Sequence, residues 1–165
     1  MAFETIRQAL VDPSLADGTV AACLLSGIQV GLLDDEIAKD WAFQVIEARE
    51  LPAVEIIEVA TARHRSDLCE ALKDVRGDRD GQLAGRILLR HLFVELSAGR
   101  MDVWIAAASS ELIARNMDLP EEVYYKFMIL HDYLHLAHQG VNGTVAGMTD
   151  ELLEHLESSS SMDLR

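Results

Sequence analysis

Apolar residues in this chain recur at intervals of three and four, and no stretch sustains the alternation a half-buried strand needs. Ile37, Trp41, Val45 and Ala48 form one such series, and Val54, Ile57 and Ala60 form another. On a helix each series is a single stripe, so the chain is expected to be all-α. Aromatic residues make up only 5% of the sequence. Its core must therefore rest on Leu, Ile, Val and Ala, which suits helices packed on helices.

Helix punctuation supports the same class. Asp17-Gly18 precedes the apolar run 19–33, and Gly31 stands near its end. Asp34 is placed to cap the next helix, with Asp35 and Glu36 in its first turn. Pro52 is suited to begin the helix after that, with Glu55 and Glu58 turned away from the apolar stripe. A short helix is expected around 67–75. It leads into RGDRDGQLAG, residues 76–85, the clearest loop signal in the chain. Further on, Asp118 and Glu121 stand in capping-box register beside Pro120, Gly140 is a stop, and Thr149 is a candidate cap for the last helix. The expected architecture is a compact multi-helix bundle of about seven to nine helices, with a short α-solenoid of helical hairpins as the alternative. One domain over 1–157 followed by a disordered tail over 158–165 fits a chain of 165 residues.

Charge narrows the function. The formal net charge is −14. That argues against binding nucleic-acid backbone or an acidic membrane surface, both of which need clustered Lys and Arg. A basic protein partner is favoured, because long-range attraction speeds encounter. The charge is uneven: residues 1–62 hold 3 basic and 11 acidic side chains, and residues 118–165 hold 2 and 9. The stretch 63–90 reverses the balance, with 7 basic and 5 acidic. Cys23 and Cys69 form no CxxC pair and read as free thiols of a reducing compartment. The N-terminus lacks a cationic-then-apolar signal pattern, and the 19–33 run is too short to span a bilayer. A cytoplasmic location follows as an expectation.

The stretch HDYLHLAHQ, residues 131–139, places His131, His135 and His138 on one arc of a helix, together with Tyr124, Phe127 and Met128. HxxxH spacing allows two imidazoles to reach one metal ion such as zinc. The outer pair lies roughly 10 Å apart along the axis, so a site would need further ligands, drawn from His64, His91, Glu95 or His155. The HExxH glutamate is missing. Packing of neutral imidazoles in a largely buried helix is the favoured reading, and no cofactor is expected. A metal-dependent helical enzyme using His131, His135 and His138 is the alternative. Carboxylate pairs sit at helix starts, where the helix dipole accounts for them. No phosphate-binding glycine loop and no Ser-His-Asp order is present.

The layout of residues 31–60, GLLDDEIAKDWAFQVIEARELPAVEIIEVA, resembles small acidic all-helical bacterial immunity proteins, which bind and neutralise a toxin. LPEEVYYKF and DELLEHLE fit the same layout. The resemblance carries no catalytic residues. It implies a non-enzymatic protein that works by protein–protein binding. Asp34, Asp35, Glu36, Glu121, Glu122 and Tyr125 are the expected contact residues. Self-association through the His and Tyr face is a further option.

Overall fold

The computed structural model describes residues 3–161. Among them are nine α-helices and no strand: α1 (Glu4–Leu10), α2 (Asp17–Gln29), α3 (Asp35–Ala48), α4 (Val54–Thr61), α5 (Arg65–Asp74), α6 (Gly81–Ser97), α7 (Val103–Asn116), α8 (Glu121–His138) and α9 (Val145–Ser160). The all-α reading therefore stands, at the upper end of the expected helix number. The chain divides into two compact units. One is Ile6–Ala84, and the other runs from Gly85 onward and takes in the residues before Ile6.

In the Ile6–Ala84 unit, α2 is buried on nearly every side, from Gly18 through Ile28. That explains its mostly apolar sequence, since a helix with no solvent face needs no polar stripe. The turn after it uses Gly31 in the left-handed region, at φ +76. At the start of α2, a Cβ on Gly18 would lie 2.4 Å from the Gly77 carbonyl oxygen. The Thr19 hydroxyl donates to the Asp78 carbonyl and accepts from the Asp80 amide, both at 3.0 Å. The exposed 76–80 connection is thus pinned to the first turn of α2. Of the loop expected over 76–85, only the first half is loop, because residues 81–85 already belong to α6. The Asp80 carboxylate accepts the Leu83 amide at 2.9 Å and so caps that helix.

Two of the expected stripes are placed differently. Ile37 and Trp41 are buried, whereas Val45 is half-buried and Ala48 exposed, because the second half of α3 lines an open cleft. In α4 the buried face is Glu55, Ile56, Val59 and Ala60, while Val54 and Ile57 point to solvent. Glu55 is drawn inward with its charge matched, since Arg76 holds it at 2.9 Å. That helix begins at Val54 rather than at Pro52.

In the other unit, α7 begins on Asp102, whose carboxylate accepts the Trp104 amide at 2.9 Å. The seam of α8 is Val123, Phe127, Leu130, Leu134 and Ala137, a stripe repeating every three to four residues. Phe127 is fully buried, and a side chain of that size contributes about 1.5–3 kcal/mol by leaving water. α9 lays Leu152, His155 and Leu156 into the core. His155 Nε2 donates to the Val123 carbonyl at 3.2 Å and the ring packs on Phe127.

Three expected boundaries are corrected. α8 starts after Pro120, and Asp118 sits outside it in the left-handed region at φ +49, so Pro120 rather than Asp118 holds the cap position. α9 is capped by Thr144, which accepts the Gly147 amide at 3.0 Å, while Thr149 is interior and donates to the Val145 carbonyl. The expected tail from 158 is helical through Ser160, with Ser159 buried, and residues 162–165 lie outside the described residues.

Candidate functional site: the flanks of helix α8

Helix α8 carries most of the candidate residues, and its seam divides them between two flanks. His131, His135 and His138 follow Leu130, Leu134 and Ala137 by one position each, which rotates them about 100° from the core. They share one flank, as their spacing requires, but it is not the buried face. His131 is half-buried, and His135 and His138 are exposed. Tyr124 and Met128 belong to the same flank, whereas Phe127 belongs to the seam.

This flank faces α7. His131 Nδ1 lies 2.8 Å from Glu111 Oε2, so the ring nitrogen donates to the carboxylate. Trp104, seven residues before Glu111, packs on His135 with ring centroids 4.8 Å apart and meets His138 edge-on at 5.5 Å. His131 and His135 are themselves 5.2 Å apart. Moving back along α7 thus matches moving forward along α8, as an antiparallel pair requires. The result is a ladder of rings with one carboxylate at its end. Among the described residues, no three side chains of His, Cys, Asp or Glu are placed to hold one metal ion. Of the further ligands named from sequence, His155 is engaged by Val123 in the core, and Glu95 accepts two bonds from Arg100 at 2.9 and 3.0 Å.

The opposite flank is open and carries an apolar stripe among charged side chains, the exposed Lys126 included. Tyr125, Ile129 and Tyr133 recur every fourth residue and are 49%, 43% and 43% exposed. Glu121, Glu122 and Asp132 are exposed around them. Tyr125, Tyr133 and both glutamates stand out in the sequence as amphipathic aromatics and exposed charges, but Ile129 does not. Its signal was the fixed four-residue spacing from Tyr125, obscured by a helix with apolar residues on every side. In the Ile6–Ala84 unit, the cluster Asp34, Asp35 and Glu36 opens α3 as expected, with Asp34 at the cap position but making no side-chain cap bond. Arg65 holds Asp35 at 2.9 Å and Lys39 holds Glu36 at 3.3 Å, so two of these three charges are already matched.

Titratable groups inside the units are structural. His91 is 1% exposed, stacks on Phe3 at 5.5 Å, and has neither ring nitrogen hydrogen-bonded among the described residues. Burial pushes its pKa below the usual imidazole range, and Arg100 adds to that while Glu95 opposes it. His155 is also lowered, chiefly by burial. Arg100 holds the Glu95 carboxyl below the usual range through its hydrogen bonds. Cys23 is fully buried and its thiol is pushed up to about 12 by burial, which leaves it unreactive. No helix among the described residues is long and apolar enough to cross a membrane. Compared with protein-family models, curated proteins and solved structures, the chain matches none.

Proposed function

We propose that this protein acts by binding another protein rather than by catalysis, that its partner is basic, and that the Tyr125–Ile129–Tyr133 flank of α8 is the contact. The observation that carries this reading is the open stripe itself. Three large side chains at four-residue spacing stand in solvent on a helix whose core is already filled from the other side. Exposed tyrosines are the amphipathic type that concentrates binding energy at the centre of an interface. Carboxylates around such a centre set encounter rate and partner choice more than affinity. Glu121, Glu122 and Asp132 fill that role here, and the net charge of −14 extends it over long range. Asp34, Asp35 and Glu36 contribute less to this reading, since Arg65 and Lys39 already match two of their three charges. An inhibitor of the immunity type, neutralising a basic toxin, is the partner class this arrangement suits.

Capture from lysate on immobilised protein at about 50 mM and about 300 mM salt tests it, since the screening length falls more than twofold over that range, to about 6 Å. A partner of basic isoelectric point, recovered at low salt and depleted at high salt, is expected. Recovery of this chain alone, or of an acidic partner indifferent to salt, would contradict the reading.

A further inference from the structure

A cleft of about 350 Å³ opens in the Ile6–Ala84 unit, between the α1–α2 connection, the start of α2 and the second half of α3. Leu10, Leu15, Val20, Trp41, Val45 and Ala48 form its apolar walls. Asp12, Asp17, Gln44 and Arg49 stand at the polar part of its lining. Its size falls near the lower end of the roughly 300–1,000 Å³ typical of small-molecule sites. At the ~30 Å³ that a water takes in the liquid, it admits roughly a dozen non-hydrogen atoms.

The polar lining sets the charge of an occupant. Arg49 donates to both carboxylate oxygens of Asp17, at 2.6 and 2.8 Å, so these two charges cancel. Arg49 is the one cation among the described lining residues, and a ligand anion would have to share it with Asp17. Asp12 is different. One of its oxygens accepts the Ser14 amide at 2.8 Å and the Ser14 hydroxyl at 2.7 Å. Those bonds hold its carboxyl below the usual range, so it is ionised at neutral pH. Its other oxygen has no hydrogen bond among the described residues. The lining is therefore a largely apolar cleft with one solvent-exposed carboxylate, Asp12, that no protein cation pairs among the described residues.

We propose that this cleft binds a small amphipathic cation, an aromatic or branched apolar body seated against Trp41, Val20 and Val45 with an ammonium group at Asp12. This site is separate from the α8 contact and does not depend on it. Titration of the 15N-labelled chain tests it, using 2-phenylethylamine, 2-phenylethanol and 3-phenylpropionate as matched probes. The Trp41 indole and Val45 amide resonances report occupancy. Saturable shifts with the amine are expected, with Kd on the order of millimolar for so few atoms. The alcohol binds more weakly and the carboxylate most weakly. Asp12→Asn removes the charge but keeps an oxygen for Ser14. It lowers amine affinity roughly two- to fivefold and leaves the alcohol unchanged. Ala48→Phe, at an exposed lining position, fills the chamber and abolishes the shifts from all three probes while the far-UV circular dichroism is retained. Should Ala48→Phe lose helical signal, Asp12→Asn decides alone. No saturable shift with the amine, tightest binding of the carboxylate, or equal loss of amine and alcohol in Asp12→Asn would overturn the proposal.

Discussion

His131 Nδ1 and Glu111 Oε2 meet at 2.8 Å across the α7–α8 seam, and both side chains are three-quarters shielded from solvent. A charge-assisted hydrogen bond in that setting ties the two helices together. Exchange with water reduces its worth from the 1.5–3 kcal/mol of buried examples to about 1 kcal/mol. A double-mutant cycle of His131→Ala and Glu111→Ala in urea should therefore return a coupling energy of about 1 kcal/mol. Additive losses would show that the two groups are neighbours without being partners.

Gly18 is expected to tolerate no side chain. A Cβ there would press on the Gly77 carbonyl, and backbone cannot swing aside as a side-chain tip can. Gly18→Ala should cost at least ~2 kcal/mol despite the better helix propensity of alanine. Its urea midpoint reads this directly, and an unchanged or raised midpoint would mean that the 76–80 connection is not held against α2.

The two buried imidazoles make stability sensitive to acid. Burial lowers the folded-state pKa of His91 and His155, so the unfolded chain takes up protons first as pH falls. Their stabilising contribution is complete above the unfolded pKa of about 6.5 and declines as pH drops below it. The Glu95 carboxyl, lowered by Arg100, adds a second loss that starts only below its ordinary value of 4.5. Melting temperature should thus fall between pH 7 and pH 5. His91→Phe keeps the ring contact with Phe3, removes two nitrogens that have no hydrogen bond among the described residues, and should flatten that fall while leaving stability at pH 7.5 equal or higher. A melting temperature independent of pH from 7 to 5 would contradict this account.

Metal should not accompany the ladder of rings. His131 is engaged by Glu111, and His135 and His138 lie against Trp104. Elemental analysis of chelator-free protein is expected to show well under one equivalent of zinc, iron or nickel. A stoichiometric metal lost in His131→Ala/His135→Ala would revive the helical-enzyme alternative.

The class of fold was legible because helical spacing is a local property. Ile37 and Trp41 could be placed in a core from their interval alone. Which stripe of a helix turns inward was less legible, because neighbours decide it. In α4 the register shifted by one position, since Arg76 lies far along the chain yet permits Glu55 to face inward. The histidine arc was read correctly as one flank, but α8 offers apolar residues all round, and only the packing of α7 and α9 selects Phe127 and Leu130 for the seam. The cleft beside Trp41 left no trace in the sequence. Its charge balance depends on Arg49 reaching Asp17, 32 positions away.

If the open flank of α8 is the contact with a basic partner, capture should depend on its side chains. Side-by-side capture with the unaltered chain, with Tyr125→Ala/Tyr133→Ala and with Glu121→Gln/Glu122→Gln tests it most directly. All four positions are exposed or nearly so, which leaves folding intact by circular dichroism. Expected are one basic partner with the unaltered chain, its loss in the tyrosine variant, and slower, less salt-dependent capture in the glutamine variant. The same partner retained equally by all three proteins would contradict it.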